Sequence, residues 1–303
     1  MKMRRQYGAN MKNRINRPVS LGMLFFILLA SSCEKILDVD STRAVGEKNM
    51  WNSLEDTRGA LMGTYGLIRA AMADQNAHWL YGDVRSGDFK SPNRPDLKAI
   101  ISNDLTASYP AVDALSNWRR WYAAINSANL FLERVGDVKE ADPRYTDNNM
   151  RVDIAQIRFL RAFAYFYMVR IWGDVPLIIA SHDGNFEEQP REDQSKVLAW
   201  AEQELRAAAA DLPYKYSAGD EQQPGDYYNE GEGRWEGALA RKLTAYAVLA
   251  HLAAWQGDYP EAANYTRFVM DNYSRAVTIL SVPTSLPTPT GCSITRNTIS
   301  SSG

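Results

Sequence analysis

A short polar stretch between residues 78 and 89 places aromatic rings among charged side chains. Its sequence, HWLYGDVRSGDF, sets the rings of Trp79, Tyr81 and Phe89 close to two carboxylates and a guanidinium. Flat aromatic faces pack against the C–H groups of a sugar while charged groups hydrogen-bond its hydroxyls, so this composition is typical of carbohydrate binding. The candidate ligand-contacting residues are Trp79, Tyr81, Asp83, Arg85 and Asp88. The same rings could instead dock this loop onto neighbouring helices, and both interpretations stay open.

Other residues offer little catalytic or metal-binding chemistry. The three histidines form no H-E-x-x-H pair, no serine stands in a G-x-S-x-G turn, and there is no C-x-x-C. Asp83 and Asp88 could form a glycosidase pair, but such acids work only at a fixed separation, which a sequence does not give. We therefore expect a binding protein without cofactor or metal, and we keep a surface glycoside hydrolase as an alternative.

The charge of the chain argues against a nucleic-acid partner. The 303 residues are 45% hydrophobic and 23% charged, which is an ordinary globular composition. Six of the 34 basic residues and none of the 36 acidic ones fall in residues 1–32, so the remainder carries a formal net charge of −8. Binding to a phosphate backbone needs clustered positive charge, so we expect no nucleic-acid binding.

The beginning of the chain reads as an export signal. Basic residues precede the apolar run LGMLFFILLA, which is too short to span a bilayer, and small residues then lead into Cys33. We interpret residues 1–32 as a lipoprotein signal peptide and Cys33 as the lipidated residue of a protein that is anchored to a membrane without spanning it. An ordinary secretory signal with an incidental cysteine is the alternative, and Met11 is an alternative start.

The loops that carry these residues must be positioned by helices, and the strongest helical pattern in the chain is one long segment. Residues 153–176 read DIAQIRFLRAFAYFYMVRIWGDVP and repeat apolar residues every three or four positions, and Gly173 and Pro176 end the helix. Aromatic residues cover most of its circumference, so we place it in the middle of a helical assembly. Similar periodicity predicts further helices at residues 54–73, 115–135, 195–212, 239–255 and 259–272.

Two features between these helices carry further expectations. Gly59, Gly63 and Gly66 fall within the first predicted helix, where glycine costs stability, so we expect a neighbouring helix to approach closely there. Residues 74–112 are rich in Asp, Asn, Gly, Ser and Pro and predict a long irregular connection.

The stretch RFLRAFAYFYMVRIWGDVPL, residues 158–177, resembles the hallmark helix of the SusD/RagB family. The pattern W-x-x-x-Y-x-x-I-x-x-A-N that begins at Trp118 is similar to a structural helix of that family, so Trp118 and Trp121 are assigned to the core. The residues CEKILD that begin at Cys33 also resemble the mature start of such proteins. The resemblance implies a lipoprotein of the outer membrane, facing the cell exterior, that binds a glycan beside a SusC-like TonB-dependent transporter.

Residues 247–265, AVLAHLAAWQGDYPEAANY, resemble a tetratricopeptide unit in which Gly257 turns the chain between two helices. Members of the SusD/RagB family use such units as a scaffold. We therefore predict an all-α fold of tetratricopeptide-like helix pairs with long irregular loops, which forms a SusD-like N-terminal helical domain over residues 33–273.

The end of the chain departs from this pattern. Residues 274–303 are rich in Ser, Thr and Pro without periodicity, which predicts a disordered tail. Family members continue for a further large segment, so our hypothesis is that this chain is a truncated member with a foreign tail. The resemblance implies capture of an oligo- or polysaccharide and its delivery to the transporter. A ligand-free helical interaction scaffold is the alternative.

Overall fold

Helices make up nearly all the regular structure in residues 50–74, 77–182 and 188–276, which are the residues that this computed structural model describes. The signal peptide predicted at residues 1–32, Cys33 and most of the predicted tail lie outside them. Within the described ranges, β pairing is limited to two isolated bridges, Val175 with Glu192 and Gly219 with Pro224. The predicted all-α fold is confirmed.

The helices differ greatly in length, and the short ones are consecutive. The helices are α1 (Leu54–Ala73), α2 (Ala77–Tyr81), α3 (Pro95–Ile101), α4 (Pro110–Leu115), α5 (Arg119–Ala141), α6 (Asp147–Trp172), α7 (Gln194–Asp211), α8 (Lys242–Trp255) and α9 (Tyr259–Ala276). Short 3-10 turns occur at Asp83–Arg85, Tyr227–Asn229 and Glu232–Arg234. None of the helices in the described part of the chain has the length and apolarity needed to cross a membrane.

Helix α6 lies at the centre of the assembly. Thr146 caps its start, because the Thr146 hydroxyl accepts the N–H of Asn149 at 3.0 Å, and Gly173 ends it with a φ of 69°. Sixteen of its 26 residues are buried, and it packs against α1, α5, α7 and α8. Its predicted central position is confirmed. The helix begins at Asp147 and not at residue 153, because Thr146 supplies the cap.

The long helices pack in successive pairs. Helix α5 packs on α6, α6 on α7, α7 on α8 and α8 on α9, while α1 lies against α5. Gly257 takes a φ of 82° where the chain turns between α8 and α9, a backbone region that favours glycine. The predicted tetratricopeptide-like pairing is confirmed, and α9 runs on past its predicted end to Ala276.

A buried carboxylate ties α6 to two other parts of the chain. Asp153 is fully buried and accepts hydrogen bonds from three tyrosine hydroxyls, those of Tyr145 at 2.8 Å, Tyr228 at 2.5 Å and Tyr227. The Tyr228 hydroxyl also lies 3.1 Å from Thr57 Oγ1 in α1. Burial raises the pKa of Asp153 to about 6, although the three hydrogen bonds oppose the rise. We call these four residues, Asp153 with its three tyrosines, the Asp153 cluster.

The expectation that a helix approaches the glycines of α1 is wrong. Gly59, Gly63 and Gly66 are all exposed, and a Cβ built at each would meet no atom within 4 Å. Helix α1 packs on α5 and α6 through another face, on which Leu61 and Ile68 are buried. The spacing of the glycines therefore marks the solvent face of α1.

The long irregular connection predicted at residues 74–112 contains regular structure. Besides the Asp83–Arg85 turn it holds α2, α3 and the start of α4, and Pro95 and Pro110 occupy the first turns of α3 and α4, where proline is tolerated. These elements share their own apolar cluster, formed by Val84, Ala99, Ile100, Val112 and Leu115.

Candidate binding cleft

The first of the short helices forms one wall of an open cleft. The cleft holds about 500 Å³ and is bordered by the end of α1, by α2, α3 and α4, and by the start of α5. Trp79 on α2 is 52% exposed, and its ring meets the ring of Phe89 edge to face at 5.5 Å. The floor is apolar and consists of Val84, Leu97, Ile101, Ala111, Ala114, Leu115 and Trp121. An exposed aromatic wall above an apolar floor offers a flat surface to a ligand.

Polar groups from distant parts of the sequence line the same cleft. The Arg120 Nε donates to Asp74 Oδ2 at 2.6 Å, and this pair joins α5 to the end of α1. Lys90, Ser91, Arg94 and Asn117 complete the polar border. Sequence reasoning missed all of these, because residues as far apart as Asp74 and Arg120, which are separated by 46 positions, give no local pattern.

A shallower depression continues from the cleft over α3. It holds about 660 Å³, and it shares Phe89, Lys90, Ser91 and Ile101 with the cleft. Lys98, Asp104 and Tyr109 line its far side. The cleft and this depression together form one continuous surface, which we call the groove.

The structure divides the five predicted ligand-contacting residues into two groups. Trp79 and Tyr81 line the cleft, whereas Asp83, Arg85 and Asp88 are not among its lining residues. The Tyr81 ring is partly buried, its edge meets Trp172 at 5.5 Å, and its hydroxyl donates to the Leu115 carbonyl at 3.0 Å. Burial raises the pKa of Tyr81 to about 12, so its phenol stays protonated as a donor.

Local backbone geometry explains why the three charged residues lie elsewhere. In the 3-10 turn, Val84 is buried in the apolar cluster, and the flanking side chains of Asp83 and Arg85 therefore point away from it. The Arg85 Nε donates to Asn103 Oδ1 at 2.7 Å, and Asp88 Oδ2 accepts from the Ser86 hydroxyl at 3.1 Å. Contact of these residues with a ligand stays a prediction.

The two tryptophans that were assigned to the core differ in burial. Trp121 is 2% exposed and stacks on Tyr167 of α6 at 4.6 Å, so only its edge reaches the cleft floor. Trp118 is partly buried and carries the guanidinium of Arg191 over its ring at 4.9 Å. Trp121 is therefore a core residue as predicted, while Trp118 lies at the edge of the core.

A hydrogen bond positions the aromatic wall against the central helix. His78 precedes Trp79 on α2, and its Nδ1 lies 2.6 Å from the hydroxyl of Tyr167. The neighbouring Trp172 Nε1 donates to the Leu115 carbonyl at 3.2 Å. These contacts fix α2 and α4 relative to α6, so the Trp79 ring is presented from a rigid support. Among the described residues, no cluster of acidic, histidine or cysteine side chains could hold a metal ion.

Comparison with known proteins assigns this chain to a family. Residues 35–223 match the profile of the SusD-like family described as "Starch-binding associating with outer membrane", and this match covers more than half of the chain. The chain belongs to the SusD-like family, as its hallmark helix predicted.

Individual relatives extend beyond the region they share with this chain. Two SusD-like proteins of Formosa agariphila are 27% and 28% identical over 169 and 162 residues, which are 55% and 50% of this chain but 31% and 30% of those proteins. A SusD superfamily structure from Bacteroides thetaiotaomicron is 51% identical with a TM-score of 0.71, and the match covers 75% of this chain and 49% of that one. The chain thus spans about a third of the length of these curated relatives and about half of that structure.

A more distant solved structure shares the fold. A laminarin-binding SusD-like protein is 20% identical with a TM-score of 0.56, over 71% of this chain and 43% of that one. At that identity the likeness concerns the fold of the helical assembly.

Proposed function

We propose that this protein binds an oligo- or polysaccharide in the cleft and passes it to a SusC-like TonB-dependent transporter of the outer membrane. The observation that carries the proposal is the exposed Trp79 ring, set beside Phe89 above an apolar floor. A ring of this kind packs on the C–H face of a sugar, and edge-on Phe89 extends the apolar surface.

The polar border of the cleft would give the bound sugar its orientation. The Asp74 carboxylate and the Arg120 guanidinium are already paired, and each retains lone pairs or N–H groups beyond that one bond. Such groups hydrogen-bond sugar hydroxyls and impose direction, while the rings supply contact area. No bond is made or broken in this proposal, so the activity is capture and not hydrolysis.

Anchoring at the membrane surface completes the proposal. Cys33 carries the acyl chains, and the protein faces the cell exterior, where polysaccharide is available. Multiple acyl chains hold a protein stably at a bilayer, whereas a single chain gives only marginal binding. The helical assembly, whose outer surfaces are not needed for the cleft, supplies the face toward the transporter.

Affinity electrophoresis through gels that contain a panel of polysaccharides tests the proposal. The chain is purified with Cys33→Ser, so that no acyl group is attached. We expect at least one polysaccharide to retard it. Trp79→Ala should raise the Kd obtained from that retardation about tenfold, which corresponds to about 1.4 kcal/mol of binding free energy.

Trp255→Ala is the matched control. Trp255 is 53% exposed, almost the same as Trp79, but it lies at the end of α8 and lines no part of the cleft. Equal losses from the two variants would contradict the cleft as the binding site. Release of sugars from the gel polysaccharide would favour a hydrolase, and absence of any retardation would favour an interaction scaffold.

A further inference from the structure

We propose that the groove takes an anionic glycan, whose carboxylate or sulfate groups are bound by Lys90 and Lys98. This inference rests on the proposed function, because it names the class of sugar that the same site would take. It is carried by the charged groups of the groove, and in particular by which of them already have partners.

The acidic side chains at the groove are already engaged. Three carboxylates line it or lie directly beside it, and each accepts a hydrogen bond from a neighbouring side chain. These pairs are Asp74 with Arg120 at 2.6 Å, Asp96 with Arg94 at 2.5 Å and Asp104 with Thr106 at 2.9 Å. The guanidinium groups of Arg120 and Arg94 are therefore largely neutralised by the first two carboxylates.

The two lysines differ from these groups. Lys90 and Lys98 are both exposed, and within the described residues neither ammonium has a carboxylate, a hydrogen bond or an aromatic ring as partner. Lys90 lines both the cleft and the depression, and Lys98 lines the depression. The Asp104 carboxylate keeps its negative charge, because its partner is a neutral hydroxyl. The charges along the groove that have no oppositely charged partner are thus two positive and one negative, so the groove keeps a net positive charge.

The position of Lys90 relates this charge to the aromatic wall. It follows Phe89 in the chain, and both residues lie at the junction of the two parts of the groove. A sugar ring packed against Trp79 and Phe89 would extend its neighbouring units over α3, where the ammonium groups lie. An anionic substituent on those units would meet Lys90 first and Lys98 next.

The charge of the whole chain limits where an anionic glycan could bind. Outside residues 1–32 the chain carries a net charge of −8, so most of its surface repels a polyanion. Two unpartnered ammonium groups along one groove therefore give an anionic glycan a local site of attraction, and they give a neutral glycan no comparable advantage.

Matched polysaccharides test the proposal. A uronate polysaccharide is compared with the same polymer after its carboxylates are reduced to hydroxymethyl groups, and a sulfated polysaccharide with its desulfated form. We expect the charged member of at least one pair to bind more tightly in isothermal titration calorimetry. NaCl at about 1 M, where the Debye length is about 3 Å, should remove the difference.

Lysine variants locate the effect. Lys90→Gln and Lys98→Gln replace the ammonium by a neutral polar amide on a side chain that is one atom shorter. Each should weaken binding of the charged polymer roughly two- to fivefold, as expected for exposed charge pairs. Neither should change binding of the neutral polymer. Lys196→Gln is the control, because Lys196 is exposed on α7, outside the groove, and its removal changes the net charge equally.

The outcomes separate this inference from the proposed function. If charged and neutral polymers bind alike and the lysine variants change nothing, while Trp79→Ala still weakens binding, the glycan site stands and the anionic specificity is wrong. If Lys196→Gln weakens binding as much as the groove variants, the effect belongs to net charge and the inference also fails. Absence of binding to every polymer would overturn both proposals.

Discussion

The Asp153 cluster and the cleft are built from the same kinds of side chain and differ in how their polar atoms are satisfied. In the Asp153 cluster, three tyrosine hydroxyls donate to one fully buried carboxylate. In the cleft, the Trp79 ring is 52% exposed and the Asp74 carboxylate reaches solvent. Aromatic residues and carboxylates therefore stabilise the fold where they are buried and satisfy each other's hydrogen bonds. They offer a binding surface where they stay partly exposed to solvent.

This comparison predicts its largest effect for the buried carboxylate. Asp153→Ala leaves the hydroxyls of Tyr145, Tyr227 and Tyr228 without their common acceptor, and we expect it to lower the free energy of unfolding by about 3–5 kcal/mol. Urea denaturation followed by circular dichroism measures the change. Asp88→Ala, at an exposed carboxylate, should change stability by less than about 0.5 kcal/mol. A similar small loss for Asp153→Ala would mean that the cluster contributes little.

A pH titration sharpens the comparison further. The pKa of Asp153 is about 6 in the folded chain, above its ordinary value of 3.8, so the folded state binds more protons between these values. Its contribution to stability is therefore full below pH 4 and falls as pH rises through 6, by about 3 kcal/mol. Carboxylates with a lowered pKa, such as Glu192, oppose this trend. The difference between wild type and Asp153→Asn isolates Asp153, and a difference independent of pH would contradict the assignment.

A crossed pair of variants tests whether the two regions have separate roles. Tyr227→Phe removes one donor to Asp153 and should cost about 1–2 kcal/mol of stability without changing polysaccharide binding. Trp79→Ala should weaken binding about tenfold, about 1.4 kcal/mol, with little change in stability. Thermal denaturation measures the stability change of each variant, and affinity electrophoresis measures the change in its binding of polysaccharide. Loss of binding in Tyr227→Phe would mean that the Asp153 cluster and the cleft are coupled.

The smallest expected effect concerns an open surface that is not part of the groove. Gly63 is exposed in α1 with no atom near a built Cβ, so Gly63→Ala should raise the free energy of unfolding by about 0.5–1 kcal/mol. Binding of polysaccharide should not change. A loss of stability in Gly63→Ala would contradict the assignment of this face of α1 to solvent.

The long helices could be predicted from sequence because their signals are local. Apolar periodicity and Gly173 define α6. Helices α3 and α4 are too short to show a period. Their first residues, Pro95 and Pro110, are typical of loops in a sequence, although proline is also tolerated in the first turn of a helix. In the cleft, the aromatic composition of residues 78–89 identified Trp79 and Tyr81. The carboxylates near them were predicted by proximity in sequence. The 3-10 turn directs Asp83 away from the apolar cluster, and Asp88 accepts a hydrogen bond from Ser86, so neither lines the cleft.

The polar groups that the structure brings together could not be predicted, because tertiary packing decides them. Asp74 and Arg120 meet across 46 residues, and Tyr227 reaches Asp153 across 74. Neither pair leaves a periodic signature. Tyr227 and Tyr228 are buried and attach their loop to α6 through Asp153.

The apolar cluster beneath the groove has a consequence for how this surface can evolve. Its members, together with the partly buried residues packed on them, all fall between residues 80 and 115, so this segment largely supplies its own interior. Substitutions along its outer side can accumulate without repacking α6 and its partners. Residues 80–115 can therefore differ between homologous proteins in their surface side chains while the long helices keep their packing.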